Sequence, residues 1–259
     1  MCVRSGGHRD RTPPAPFDRP EVSVSVSDLS LRVIHADAHV IVVNKPSGLL
    51  SVPGRGPDKQ DCVWHRVQVD YPDALVVHRL DQATSGLLVL ARGIEAQRRL
   101  SRAFAQRQVD KRYLAWVMGV PQDRCVGLPV EPQARVEDNP GWNRINLPIL
   151  PDWPNRPLQI ISPEGRPCLT YWRLLEQQAS PNRSLLELQP HTGRSHQLRV
   201  HLQAIGHPIL GDVWYGSPTA PASPALQLHA WQLTLPHPVD EQTLSLQAPL
   251  PQHWGRIAT

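Results

Sequence analysis

Apolar and polar positions along this chain follow two rhythms, a two-residue alternation and a three-to-four-residue spacing, and each predicts an element. From Leu31, LRVIHADAHVIVVNKPSG reads as two short β-rich runs separated by Ala36-Asp37-Ala38 and closed by a Lys-Pro-Ser-Gly turn. In DCVWHRVQVDY, residues 61–71, Val63, Trp64, Val67 and Tyr71 share one helical face, with Asp61 as the expected cap and Pro72 as the stop. The stretch VVHRLDQATSGLLVLAR, residues 76–92, predicts strand, polar loop, strand, and the loop carries Arg79, Asp81, Thr84, Ser85 and Gly86. In IEAQRRLSRAFAQRQ the residues Ala96, Leu100, Ala103 and Phe104 fall at helical spacing, leaving Arg98, Arg99, Arg102 and Arg107 on the polar side. KRYLAWVMGV, residues 111–120, predicts a buried strand entered through Tyr113. Residues 121–167, rich in Pro, Gly and Asn, predict a long irregular excursion over the surface. Strand-like runs return at Cys168–Leu175 and Ser184–Gln189. Leu198, Leu202 and Ile205 then predict a short helix stopped by Gly206 and Pro208, with Arg194 and Arg199 at its start and first turns. The C-terminal ALQLHAWQLTLPHP and QTLSLQAPLP alternate as antiparallel strands do.

Composition narrows the setting. Residues 1–28 hold Pro13, Pro14, Pro16 and Pro20 and few large apolar groups, so a disordered tail is expected there. Residues 29–259 are expected to form the main domain, with no folded RNA-binding module expected ahead of it. No apolar run approaches the roughly 20 residues that cross a membrane, and MCVRSGGHRD lacks the apolar core of a secretory signal. A cytoplasmic protein is expected. Cys2, Cys62, Cys125 and Cys168 lie far apart with no CxxC pair, which reads as reduced, mostly buried thiols. Lysines occur only at 45, 59 and 111, so the basic residues are almost all arginine, a bias that suits phosphate recognition and equally a GC-rich genome. The cluster from Arg92 to Arg112, Lys111 included, is the best local candidate for a phosphate-binding surface, the alternative being a solvated helix face.

The chemistry centres on Asp81. A carboxylate in a loop between two buried strands sits on a rigid base and is a candidate for catalysis, although Asp also caps turns. His191, His196 and His201 recur every five residues, which rotates them around a helix, so no metal site is expected. A glycosidase would need a second acid within several ångströms of Asp81, and only folding decides whether one is there. A third route uses Asp81 alone, as nucleophile or base, kept ionised by a nearby arginine.

Taken together, the blocks HRLDQATSGLLVLAR, VIVVNKPSGLLSVPGR, KRYLAWV and LQPHTGRSHQLRVHLQAIGHPILGD resemble those of the RluA family of pseudouridine synthases, in that family's order, from about Leu31 onward. The resemblance implies an α+β fold, a mixed and mainly antiparallel β-sheet with flanking helices, and an RNA-binding cleft floored by Asp81. It implies an enzyme that detaches uracil from ribose in RNA, rotates it and rejoins it through carbon, with no metal or organic cofactor. Asp81 matches the catalytic aspartate, attacking either the ribose anomeric carbon or the uracil ring. Tyr113 matches the tyrosine that stacks on the target base, Arg199 the basic residue paired with the aspartate, and Arg79 the arginine that fills the space left by the extruded base. Arg98, Arg99, Arg102, Arg107, Lys111 and Arg194 are expected to bind RNA. Flipping a base out of a stem demands such a stacking surface and such a filler. SGLLSVPGR and DWPNRPLQ most resemble the branch that acts on a tRNA anticodon stem-loop and a large-subunit rRNA hairpin. A monomer is expected. The segment 127–147 is longer than the family's usual connection and reads as a surface insertion, either one whose Arg135, Trp142 and Arg144 touch RNA or a neutral one. The competing reading is an RNA-binding protein of the same fold without catalysis.

Overall fold

The computed structural model describes residues 31–122, 125–127, 141–240 and 242–255. The tail expected over 1–28 lies outside the described residues, as do residues 128–140 of the 127–147 segment, Arg135 among them.

Strands β1 (Arg32–Ala36) and β2 (Val40–Lys45) pair antiparallel across a turn that Asp37 closes, its Oδ1 accepting from the amides of His39 and Val40 at 2.7 Å each. Helix α1 (Val63–Asp70) buries Val63 and Val67 as the spacing predicts, but its cap is Cys62, whose Sγ accepts from the His65 amide at 3.5 Å. Asp61 instead binds the Arg66 guanidinium at 2.7 and 2.6 Å, because an opposite charge one turn away is a better partner than a backbone amide. Next come β3 (Ala74–Val76), β4 (Ser85–Arg92), α2 (Ile94–Ala105) and β5 (Asp110–Met118). On β4, Leu88 and Leu90 pack with α1 while Leu87, Val89 and Ala91 pack with Ala96, Leu100 and Ala103 of α2, so the two helices cover opposite faces of that strand.

The described residues of the excursion expected over 121–167 are more ordered than their composition suggests. They contain β6 (Cys125–Gly127), β7 (Asn143–Asn146), β8 (Ile149–Pro151) and β9 (Gln159–Ile161). β7 pairs with β10 (Leu169–Gln178) and buries Asn143 and Ile145, so the described end of the supposed insertion belongs to the sheet. Strands of three or four residues show too little alternation to be read locally and are ordered by the neighbours they pair with. β11 (Arg183–Pro190), α3 (Gln197–Ala204), β12 (Leu228–Pro236) and β13 (Thr243–Gln247) complete the described elements.

Among the described residues the main sheet has eleven strands with the path β1-β2-β4-β12-β5-β11-β10-β7-β6, with β13 on β12 and β3 on β4; β8 and β9 form a separate hairpin. Among the described strands only β4/β12 and β6/β7 pair parallel, so the α+β class with a mainly antiparallel sheet is what the structure shows. Where β12 meets β4, a Cβ on Gly86 would lie 2.2 Å from the Ala230 carbonyl, and the backbone there has φ +108. Only glycine admits that approach, and it brings β12 directly behind the loop that carries Asp81. Along β5 the positions alternate: Ala115 and Val117 pack under Leu198 and Leu202 of α3, while Leu114 and Trp116 join Trp254 on the other side. No helix among the described residues is long and apolar enough to cross a membrane.

Candidate active site

Asp81 sits in the loop between β3 and β4, and the turn after β2 clamps that loop from below. Ser51 Oγ donates to the Leu80 carbonyl (2.8 Å) and accepts the Leu80 amide (3.1 Å); Ser47 Oγ donates to the Ala83 carbonyl (2.7 Å); the Gly48 amide donates to the Gln82 carbonyl (2.9 Å). Lys45, fully buried, spends its three ammonium protons on the carbonyls of Pro46, Leu49 and Gln82 at 2.9, 2.7 and 2.9 Å. Burial pushes its pKa down to about 7, with the Asp81 carboxylate pulling the other way. A lysine inside an apolar strand is the signal that the sequence offered for this role. Lys45→Met removes the donor to three carbonyls, of which that of Leu49 is buried and that of Gln82 keeps the Gly48 amide, so a loss of about 1 to 3 kcal/mol in urea unfolding is expected, together with a drop in turnover larger than the drop in folded fraction. Unchanged stability would show that the clamp holds without Lys45.

Around Asp81 the structure assembles a cleft of about 120 Å³ whose walls include Arg79, Lys111, Tyr113, Arg194, His196 and Arg199. Arg199 Nη1 lies 3.3 Å from Asp81 Oδ2. The same guanidinium forks onto Asp212, Nε to Oδ2 and Nη2 to Oδ1, both at 2.7 Å. Arg199 therefore pairs with two carboxylates, and the tighter partner is the one that sequence reasoning missed. Burial works against the charge of Arg199, but Asp212 and Asp81 outweigh it and raise its pKa. The side chain of Asp212 has no exposed surface, and its Oδ1 also accepts the amides of Trp214 and Tyr215 at 3.0 and 3.1 Å. Asp212 is thus a second acid near Asp81, but it is sealed in a fork with every oxygen engaged, which leaves it unfit as a glycosidase acid or base. Tyr113 projects from β5 into the cleft, and burial, then the Asp81 charge, raise its pKa so that the phenol stays protonated.

The cationic residues divide. Arg79, Lys111 and Arg194 line the cleft beside Asp81. Arg107 reaches its edge, with Nη1 3.0 Å from His191 Nε2. Arg98, Arg99 and Arg102 of α2 do not line it: Arg98 pairs with Glu95 one turn back, Arg99 donates to the Pro238 carbonyl at 2.8 Å, and Arg102 is exposed. On the other side of β5, Asp110, Arg112, Trp142, Arg173 and Glu187 border a larger cavity of about 310 Å³. Its charges are mutually paired, Glu187 with Arg112 and Arg173, and both guanidiniums lie 4.9 Å from the Trp142 ring. Trp142, one of three residues offered as an RNA contact if the segment is not a neutral insertion, is therefore already stacked within the protein.

The profile described as RNA pseudouridylate synthase matches residues 39–204, a span that encloses Asp81, Tyr113 and Arg199. The chain belongs to the RNA pseudouridylate synthase family. The synthase is 46% identical over 221 residues to the dual-specificity RNA pseudouridine synthase RluA of Escherichia coli K12, covering 85% of this chain and 93% of that one. It is 44% identical over 225 residues to the RluA of Pasteurella multocida, covering 86% and 94%. Among solved structures, human RNA pseudouridylate synthase domain containing 1 aligns with a TM-score of 0.66 at 26% identity, covering 91% of this chain and 87% of that one. The synthase is an isomerase that acts on RNA, and the likeness to RluA read from its sequence blocks holds along most of its length. The profile ends before Asp212 and β12, so the fork that holds Arg199 lies outside the matched span.

Proposed function

We propose that this synthase converts uridine to pseudouridine in a tRNA anticodon stem-loop and a large-subunit rRNA hairpin, with Asp81 as its nucleophile. The observation that carries the mechanism is the carboxylate of Asp81 on the cleft floor, with Oδ2 against a buried arginine and a protonated tyrosine beside it. The two substrates rest on the kinship with relatives named dual-specificity. The uridine leaves its stack, the Tyr113 ring packs on the uracil, and Arg79, exposed at the cleft mouth, fills the vacated space. Asp81 attacks the ribose anomeric carbon or the uracil ring, the bond from N1 breaks, and the ring turns to offer C5. C5 then bonds to the anomeric carbon, the bond that Asp81 had formed breaks to return the free carboxylate, C5 loses its proton and N1 gains one, so atoms balance without a cofactor. The enzyme works as a cytoplasmic monomer, residues 29–259 forming the catalytic domain behind an N-terminal tail at 1–28.

The test is tritium release from uracil labelled at C5 in the two synthetic stem-loops, each against a version with the loop uridines replaced by cytidine. Release from both RNAs supports the dual assignment; release from one alone narrows it, and release from neither sinks it.

Arg98, Arg99, Arg102 and Arg107 remain candidates for phosphate contacts outside the cleft, and their surroundings rank them. Arg102, exposed, and Arg107, at the cleft edge, are better placed than Arg98, already paired, and Arg99, tied to Pro238. Reversing charge at Arg102 and Arg107 is expected to weaken RNA binding and flatten its salt dependence by roughly 0.7 to 0.9 per lost phosphate contact. Arg107, expected on the helix, lies in the turn after α2 at φ 60, so an unchanged slope returns both α2 and that turn to a solvated surface.

A further inference from the structure

His196 opens α3 in the left-handed region, at φ 55 and ψ 16, a conformation that glycine or asparagine adopts more easily. Its ring does not cap the helix. Instead the ring turns into the cleft wall, where Nδ1 lies 2.8 Å from Tyr215 Oη and Nε2 lies 3.9 Å from Asp81 Oδ2. Tyr215 Oη accepts the Gln159 amide at 2.8 Å, which leaves its own proton available to donate to Nδ1. A neutral imidazole that accepts at Nδ1 carries its proton on Nε2, facing Asp81. Trp214 packs on the ring at 5.1 Å between centroids and holds its plane. Arg199 and His196 both address Oδ2, and among the described residues no hydrogen bond reaches Oδ1. A backbone kept in a costly conformation at a functional site, with no capping role, calls for a reason in the side chain.

We propose that His196 is a positioning residue for Asp81: with its tautomer set by Tyr215, it donates from Nε2 to Oδ2 when RNA closes the cleft, leaving Oδ1 as the attacking oxygen. The 3.9 Å gap is that of the free enzyme, and contacts of this kind tighten once substrate excludes water. Burial lowers the pKa of His196 against the pull of Asp81, which keeps the ring in the neutral form that this tautomer needs. With Arg199 alone on Oδ2, the carboxylate would be free to turn about its terminal bond; a second donor in a different direction fixes it. The proposal rests on Asp81 being the nucleophile.

His196→Gly separates a positioning role from a structural one, because glycine fits the left-handed backbone and removes only the ring. The expected result is a thermal midpoint no lower than wild type, an RNA Kd within about threefold, and a single-turnover rate at saturating enzyme down at least tenfold. His196→Gln, which restores a donor at similar reach, recovers part of that rate. A wild-type rate in His196→Gly overturns the proposal, as does a defect that saturating enzyme abolishes, which would make His196 an RNA ligand. Independently of any variant's folding, long-range proton–nitrogen correlation on nitrogen-15-labelled enzyme reads the tautomer directly. Protonated Nε2 is expected for His196, and a proton on Nδ1 overturns the geometry. Activity of wild type and its absence in Asp81→Asn are measured alongside, so failure of the nucleophile assignment is seen separately from failure of the His196 role.

Discussion

Asp81→Asn is expected to abolish tritium release from C5-labelled RNA while leaving the fold intact and RNA affinity within about tenfold, or roughly 1.4 kcal/mol. The reason for this clean separation lies in the surroundings of the loop. Its backbone is held through the carbonyls of Leu80, Gln82 and Ala83 by Ser51, Lys45 and Ser47, none of which hydrogen-bonds to the Asp81 side chain. Removing the charge of Asp81 does not strand Arg199, which keeps its fork on Asp212. The amide preserves the carboxylate's shape but is a far weaker nucleophile, so the loss falls on the chemical step. Measurement of release and of filter binding on the same RNA decides the point. Retained turnover would remove Asp81 from the mechanism. RNA binding by the wild type with no release at all would favour the competing reading of a binding protein that kept the fold without the activity.

Arg199→Met is expected to do more than impair catalysis. The guanidinium has 3% of its side chain exposed and compensates two carboxylates, one of them with none exposed. Taking it away leaves Asp212 buried and unpaired, a change that typically costs about 3 to 5 kcal/mol. The urea midpoint should therefore fall sharply, and α3, which carries Arg199 with His196 at its start, should loosen with it. Arg199→Lys keeps one charge but loses the planar fork, so both its stability and its turnover should lie between methionine and wild type. Asp212→Asn is the complementary test: the amide still accepts at one oxygen, so the fold should survive better than in Arg199→Met while Arg199 loses its fixed orientation toward Asp81. Wild-type stability in Arg199→Met would show that Asp212 is not held by that fork.

These two variants differ because Arg199 has two partners, and that fact marks where sequence reasoning stopped. The helices at 63–70, 94–105 and 197–204 and the strands flanking Asp81 were legible, since each repeats its apolar spacing over enough residues to declare a period. The motif blocks carried the family, and with it Asp81, Tyr113, Arg199 and Arg79 as a set that the fold does bring to one cleft. Strands β6 to β9 were not legible, because three or four residues do not establish an alternation and their order comes from pairing with β10 and with each other. The Cys62 cap was misassigned to Asp61 because composition ranks cap residues but cannot tell that Arg66 will claim the carboxylate. Lys45, His196 and Asp212 stood within the quoted blocks, yet their roles depend on where a side chain ends after the chain has folded back on itself. Lys45 meets Gln82 across 37 residues and Arg199 meets Asp81 across 118. Local pattern determines which elements form and which residues could react; the orientation of a carboxylate is decided by donors that only the tertiary fold brings within hydrogen-bond range.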